Sequence, residues 1–135
     1  MTTKAVGNFE VKMSPKPWND STEAHGFGRF LLDKHYHGDL EATSDGQMLS
    51  AGNGAPGSSG AYVALEKITG SLQGRKGSFI VYHLGLMTRG VPQLTLAVVP
   101  DSGTDELKGL AGTITIQIAD GKHSYELAYT LATIE

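Results

Sequence analysis

Apolar and polar residues alternate with period two along most of the chain, which predicts β-strands rather than helices. A first strand is predicted over residues 5–13, a longer one over 25–37 and another over 94–99. No amphipathic helix of useful length is found. We expect at most one helical turn, around residues 104–108, in the connection that follows the third of these strands. The pattern therefore predicts an all-β protein.

The most informative hairpin lies within residues 61–87. Gly74-Arg75 suits a two-residue type II′ turn, because this turn favours glycine at its first central position. With that turn, Glu66 lies directly opposite His83. The residues expected on this face of the hairpin are Tyr62, Ala64, Glu66, Ile68, Phe79, Val81 and His83. An acid facing an imidazole among apolar neighbours is typical of a pocket lining.

Three other turn signals organise the rest of the chain. Asp120-Gly121 predicts a type I′ hairpin that pairs Ile118 with His123. Its apolar face then carries Ile114, Ile116, Ile118, His123, Tyr125, Leu127 and Tyr129. Gly38-Asp39 and Asp45-Gly46 are too close in sequence for both to close full-length hairpins. We predict a bend at the first and a hairpin at the second. Eight or nine strands joined by short turns predict one domain over residues 1–135, a single antiparallel up-and-down β-barrel of about eight strands.

Composition and charge exclude several classes of function. The net charge of −3 and the pI near 5.9 argue against nucleic-acid binding, which needs a basic surface. The absence of cysteine excludes disulfides, thiolate catalysis and iron–sulfur clusters. Without an apolar leader or a run long enough to span a membrane, we expect a cytoplasmic protein with no membrane partner. No phosphate-binding loop is present, and no cofactor is expected.

Glu66 and His83 are the candidate catalytic pair. A carboxylate beside an imidazole orients the ring and raises its pKa, which suits general acid–base chemistry near neutral pH. The alternative is a buried pair that only joins two strands, and buried ion pairs are often structural.

The candidate ligand-binding residues are mostly aromatic. Tyrosines and phenylalanines with a few polar groups suit a pocket for a mainly apolar ligand, whereas the alternative is ordinary filling of the barrel. The expected set is Tyr62, Phe79, His123, Tyr125, Tyr129 and Trp18. For Trp18, which follows the first strand, a hydrophobic plug at one barrel end is favoured over contact with a partner subunit.

A weak metal-binding signal lies at residues 35–41. His35, His37 and Glu41 read H-x-H-x-x-x-E, which resembles the first metal-binding motif of the cupin barrels. Arg29 stands where that motif has glycine, and the second cupin motif is absent. A solvated strand end is therefore favoured over a metal site.

Five ordered segments resemble a bacterial family of domains of unknown function, family 3224. They are KHYHGDL from Lys34, AYVALE…GSLQGRKGSFIVYH from Ala61, VVPDSGT from Val98, LKGLAG from Leu107 and HSYELAY from His123. The resemblance implies a barrel similar to plant allene oxide cyclases, which close a ring in an unsaturated fatty-acid epoxide, and to dirigent proteins, which steer a radical coupling. Neither family's pocket residues align with this chain by motif, so no catalytic residue is transferred.

These observations predict a small-molecule-binding barrel for an apolar or lipid-like ligand. It would act as an isomerase or cyclase if Glu66 and His83 move a proton, and otherwise as a non-catalytic carrier or interaction module. A cupin-like metalloenzyme is the second alternative.

The other face of the hairpin within residues 61–87 carries Val63, Leu65, Ile80, Tyr82 and Leu84. It is too apolar for open water, so we expect a homodimer, with the trimer of the plant relatives as the alternative.

Overall fold

Eight antiparallel strands close into a barrel in which each strand pairs with its neighbours in sequence, and β1 pairs with β8. The computed structural model describes residues 2–17, 27–52 and 55–131. The strands are β1 (Thr3–Lys16), β2 (Phe27–Gly38), β3 (Leu40–Ala51), β4 (Gly60–Leu72), β5 (Arg75–Thr88), β6 (Val91–Val98), β7 (Leu110–Ala119) and β8 (Lys122–Leu131). The predicted barrel is confirmed.

The β7–β8 hairpin has the predicted register. Asp120 and Gly121 form its turn with positive φ values of 53° and 73°, as a type I′ turn requires. Ile118 pairs with His123, as predicted from the sequence. The helical element of the described chain is a 3₁₀ turn, Asp105–Leu107, inside the predicted range 104–108.

The predicted register of the β4–β5 hairpin is wrong by two residues. Gln73 and Gly74 form the turn, with φ values of 47° and 88°, so the turn lies one residue earlier than predicted. Glu66 consequently pairs with Val81, and Ala64 pairs with His83. Because the error is an even number, every side chain stays on its predicted face. Glu66 and His83 become diagonal neighbours instead of direct partners.

The predicted roles of the two turn signals near residue 40 are wrong, because the hairpin forms at the first signal and the second lies inside a strand. The β2–β3 hairpin turns at Gly38 and Asp39, with Gly38 at a φ of 107°, and Gly46 lies inside β3. A Cβ atom at position 46 would lie 2.4 Å from the Leu65 carbonyl oxygen. Gly46 therefore allows β3 and β4 to approach closely and does not form a turn.

The connection between β6 and β7 continues the sheet along β5. Ile80 and Ser78 donate their backbone N–H groups to the hydroxyl oxygens of Ser102 and Thr104, both at 3.0 Å. These hydroxyls bind β5, and the Thr104 side chain makes no capping hydrogen bond to the 3₁₀ turn. Leu107 points inward and is 1% exposed. The connection thus covers the part of β5 that β6 leaves unpaired.

The barrel wall formed by β3, β4 and β5 carries apolar side chains on both sides. Its interior face carries Ile68, Phe79 and Val81, each at most 1% exposed. The outer apolar face consists of Leu49, Val63, Leu65, Ile80, Tyr82 and Leu84, and all except the half-buried Ile80 are exposed. None of the helical segments in the described ranges has the length and apolar character needed to cross a membrane.

Self-association through the outer apolar face stays a prediction, and sedimentation velocity tests it. The wild type is expected to sediment as a dimer, and Leu65→Glu as a monomer, because Leu65 is the most exposed member of the face, at 60%. Val6→Glu is the control: Val6 is 51% exposed on β1, across the barrel from β5. A wild type that is monomeric at all concentrations would contradict the prediction.

Candidate functional site

A cluster of polar side chains is buried inside the barrel around Glu66. Lys34 and Tyr36 on β2, Ser44 on β3 and His83 on β5 all contact this carboxylate. These five residues form the Glu66 cluster. Gly46 is the direct cross-strand partner of Glu66, so Ser44 reaches the carboxylate diagonally, as His83 does from the other side. Strand alternation turns all five side chains inward.

Each carboxylate oxygen of Glu66 accepts two hydrogen bonds. Oε2 lies 3.0 Å from Lys34 Nζ and 2.9 Å from His83 Nε2. Oε1 accepts the Ser44 hydroxyl at 2.6 Å and also the Tyr36 hydroxyl. Because an ionised carboxylate only accepts, His83 Nε2 is the donor in its contact. The acceptor sites of Glu66 are thus filled by protein groups.

The Lys34 ammonium is also held by aromatic rings. Its Nζ lies 5.1 Å from the centroid of the Phe9 ring and 5.8 Å from that of Tyr36. Both distances are within the range of a cation–π interaction, which gains strength where water is excluded. The side chains of Lys34 and Glu66 are 6% and 0% exposed. The pair therefore compensates two charges that have both lost their hydration.

The environment keeps Glu66 ionised. Burial alone would raise the pKa of its carboxyl, but the hydrogen bond from His83, the charge of Lys34 and the two hydroxyl donors outweigh burial and lower this pKa to about 2. Burial, followed by the charge of Glu66, raises the pKa of Tyr36 well above its usual range. At neutral pH, Tyr36 is thus a neutral donor to a charged acceptor.

This arrangement favours the structural alternative for the Glu66–His83 pair. A general base needs a free lone pair and a pKa near the working pH, whereas Glu66 has four donors and a pKa of about 2. Its side chain has no exposed surface. Catalysis by Glu66 and His83 stays a prediction, and it would require one of these hydrogen bonds to break.

The open-end cleft is a hollow of about 610 Å³ at the barrel mouth where β4 begins and β5 ends. Its lining is mostly apolar and includes Phe30, Met48, Tyr62, Leu86, Met87, Pro92 and Leu94, with Ser50 and Gln93 among the polar groups. Pockets for small molecules are typically ~300–1,000 Å³ and similarly apolar. A hollow of about 810 Å³ on the outer wall coincides with the outer apolar face.

Tyr62 connects the open-end cleft with the Glu66 cluster. Its ring lines the cleft and lies 6.2 Å from the ring of His83, centroid to centroid. The ring also packs over Gly85: a Cβ atom there would be 2.1 Å from Tyr62 Cε1. Burial, with a further contribution from the charge of Glu66, raises the pKa of Tyr62. Tyr62 thus lies between the apolar cleft and the charged interior.

The other predicted ligand-binding residues lie away from the cleft. Phe79 is 1% exposed in the core, and the half-buried His123 packs against Phe9 with ring centroids 5.2 Å apart. The Tyr125 hydroxyl accepts the Leu40 N–H at 2.9 Å and donates to the His37 carbonyl at 2.9 Å.

The last two predicted ligand-binding residues are Tyr129 and Trp18. The Tyr129 hydroxyl bonds to the Gln73 side chain at the β4–β5 turn. This contact, like that of Tyr125, satisfies a hydroxyl locally, which favours the alternative of barrel filling for both tyrosines. Trp18 lies outside the described residues.

The predicted metal ligands lie on the outer surface of the barrel, His35 and His37 on β2 and Glu41 at the start of β3. His35 and His37 share that face, as predicted, and their rings stack with centroids 4.4 Å apart. The carboxylate nearest to them belongs to Glu10 on β1, whereas Glu41 lies on the opposite side of the His37 ring. Sequence reasoning missed Glu10, because its proximity depends on the pairing of β1 with β2.

Sequence reasoning also missed Lys34, Tyr36 and Ser44 as partners of Glu66. A signal for two of them exists: Phe30, Leu32, Lys34 and Tyr36 form the more apolar of the two alternating sets in β2. That set should face the interior and would carry Lys34 inward with it. A lysine on an inward face needs an acid partner.

Comparisons with known proteins identify the family. The family model described as "Protein of unknown function (DUF3224)" matches residues 5–129. A crystal structure of a protein with unknown function from the DUF3224 family of Shewanella oneidensis MR-1 is similar, with 45% sequence identity and a TM-score of 0.90. The match covers 99% of this chain and 100% of that one. No curated protein gives a significant match. The chain therefore belongs to the DUF3224 family of proteins of unknown function, as its sequence motifs predicted.

Proposed function

We propose that the barrel binds a small, mainly apolar molecule in the open-end cleft. The observation that carries this proposal is the cleft itself, a mostly apolar hollow of about 610 Å³ at the barrel mouth. Tyr62, Ser50 and Gln93 are among the few polar groups that would orient a ligand. The resemblance to allene oxide cyclase and dirigent barrels, whose substrates are largely apolar, supports the same class of ligand.

The geometry favours a carrier or binding role over proton transfer by Glu66. The cleft reaches Tyr62, whereas the carboxylate of Glu66 lies behind it with no exposed side-chain surface. An isomerase or cyclase activity remains the alternative. The contact between the rings of His83 and Tyr62 favours it, because Tyr62 lines the cleft. The cytoplasmic location also stays a prediction.

Ligand binding is tested with the apolar fluorophore N-phenyl-1-naphthylamine and displacement by straight-chain fatty acids. Tyr62→Ala is expected to weaken binding of the fluorophore roughly tenfold, because it removes one of the two aromatic rings that line the cleft; tenfold corresponds to about 1.4 kcal/mol. Met48→Trp, which fills the cleft from β3, is expected to abolish binding. Fluorescence titration gives both affinities.

Tyr82→Ala is the matched control, because Tyr82 is the tyrosine of the outer apolar face on the neighbouring strand. It is expected to leave the affinity unchanged. The proposal is wrong if Tyr82→Ala weakens binding while Tyr62→Ala and Met48→Trp do not, since the probe would then occupy the outer wall. Retained binding in Glu66→Gln would further support a carrier role over an active site.

A further inference from the structure

Two histidines and a glutamate converge on the outer surface of the barrel, on the opposite side of the β2 backbone from the Glu66 cluster. His35 and His37 are two residues apart on β2, so both side chains point outward. Glu10 on β1 is the direct cross-strand partner of His35. Direct partners on a sheet have Cβ atoms about 5 Å apart, so the three side chains are neighbours by register alone.

The side-chain geometry brings their ligand atoms together. His37 Nε2 lies 3.2 Å from each carboxylate oxygen of Glu10. The rings of His35 and His37 stack at an interplanar angle of 26°. One ligand atom from each of the three residues lies within 4.8 Å of the other two. The three ligand atoms are therefore close enough for one ion to lie between them.

Glu41 lies within ion-pair distance, but beyond hydrogen-bond distance, of the second ring nitrogen of His37. Its Oε2 lies 3.8 Å from His37 Nδ1, the ring nitrogen that faces away from Glu10. Its Oε1 accepts the backbone N–H of Gly38 at 2.8 Å, which fixes the carboxylate at the β2–β3 turn. Ligating histidines commonly donate their second N–H to a carboxylate, which sets the tautomer and orients the ring.

We propose that Glu10, His35 and His37 form a surface site for a transition-metal dication such as Zn²⁺, with Glu41 as the carboxylate that orients His37. Two imidazoles and one carboxylate are the ligand types of Zn²⁺, and three protein ligands leave one position for water or another ligand. Mg²⁺ and Ca²⁺ prefer sites made of oxygen atoms alone, so the histidines select against them. The site is independent of the open-end cleft.

A metal-free ion pair between Glu10 and His37 is the competing explanation. Such a pair needs one histidine only, and its side chains are 75% and 37% exposed. Exposed ion pairs are weak. The ion pair gives no role to His35, which stacks on the ring of His37, or to Glu41, which lies near Nδ1 of His37. A metal site uses all four residues.

Isothermal titration of metal-free protein with Zn²⁺ tests the site, using protein without a polyhistidine tag. The wild type is expected to bind one Zn²⁺ per chain with a micromolar or lower dissociation constant. His35→Ala and His37→Ala should each weaken binding by at least about 100-fold, and Glu10→Gln and Glu41→Gln by roughly 10- to 100-fold. His123→Ala is the control, because His123 lies outside the cluster, and it should leave Zn²⁺ binding unchanged.

Two results would overturn the proposal. One is wild-type binding that does not saturate below millimolar Zn²⁺. The other is saturable binding that survives both His35→Ala and His37→Ala, which would locate the metal elsewhere on the protein. Circular dichroism of each variant separates loss of the site from loss of the fold, and the outward direction of these side chains predicts that all four variants fold.

Discussion

Lys34→Met is expected to lower the free energy of unfolding by about 3–5 kcal/mol, because it leaves the buried Glu66 carboxylate without a compensating charge. Methionine retains most of the apolar stem of lysine, so the change removes mainly the ammonium group. The variant also loses the contacts of Nζ with the rings of Phe9 and Tyr36. Urea denaturation followed by circular dichroism measures the difference.

Lys4→Met is the matched control for this prediction. Lys4 pairs with Glu126 at 3.6 Å on the barrel surface, where the side chains are 67% and 44% exposed. The expected loss is below about 1 kcal/mol, because water already solvates both charges. The double variant Lys34→Met with Glu66→Met should be more stable than Lys34→Met alone, because it removes the orphaned charge as well. A Lys34→Met variant as stable as Lys4→Met would show that water reaches Glu66.

Acid is expected to destabilise the wild type in a pH window that Glu66 defines. The pKa of Glu66 falls from 4.5 in the unfolded chain to about 2 in the folded protein. A carboxyl whose pKa is lowered by folding contributes its full stabilisation above the unfolded value, and this contribution is lost as the pH falls from 4.5 to about 2. The shift corresponds to a contribution on the order of 3 kcal/mol.

Glu66→Gln isolates this contribution from that of the other carboxyls. At neutral pH the variant should be less stable than the wild type, and the difference should shrink as the pH falls through the window, because protonated Glu66 resembles glutamine. Glu126→Gln, at an exposed surface pair, should instead run parallel to the wild type. Urea denaturation at several pH values gives these curves. A constant difference between the wild type and Glu66→Gln at all pH values would contradict the lowered pKa.

The Glu66 cluster lies next to the open-end cleft inside the barrel. The cluster joins side chains from β2, β3, β4 and β5, so its hydrogen bonds hold four adjacent strands in register. The ring of Tyr62 lies between this cluster and the cleft. A fixed wall behind an apolar hollow suits a binding site whose shape is formed before the ligand arrives.

The shared face of Glu66 and His83 was predictable, whereas the inward direction of that face and the other partners of Glu66 were not. Alternation assigns Glu66 and His83 to one face of the β4–β5 hairpin, and this assignment survives a register error of two residues. The contact between them also survives, because diagonal neighbours on a sheet remain within reach of long side chains. Lys34 and Ser44 lie on strands whose pairing had been predicted with the wrong turn.

Glycine-containing turn signals were ambiguous for a physical reason. Asp120-Gly121 forms its predicted turn, but Asp45-Gly46 lies inside a strand where Gly46 faces the backbone of β4. Glycine is favoured both where φ is positive and where another chain approaches closely. Whether a glycine is needed for positive φ or for close approach depends on the position of the neighbouring strand. Local sequence does not contain that position.

The sequence by itself determined the all-β class, the family, the two-sided apolar character of the β4–β5 hairpin and the register of β7 with β8, because period-two alternation and a type I′ turn are local properties. Tertiary structure alone decided that Glu66 accepts four hydrogen bonds, that Tyr125 and Tyr129 bind turns, and that Glu10 joins His35 and His37. Each of these contacts joins residues far apart in the chain, and their proximity depends on the registers that arise when all eight strands close into one barrel.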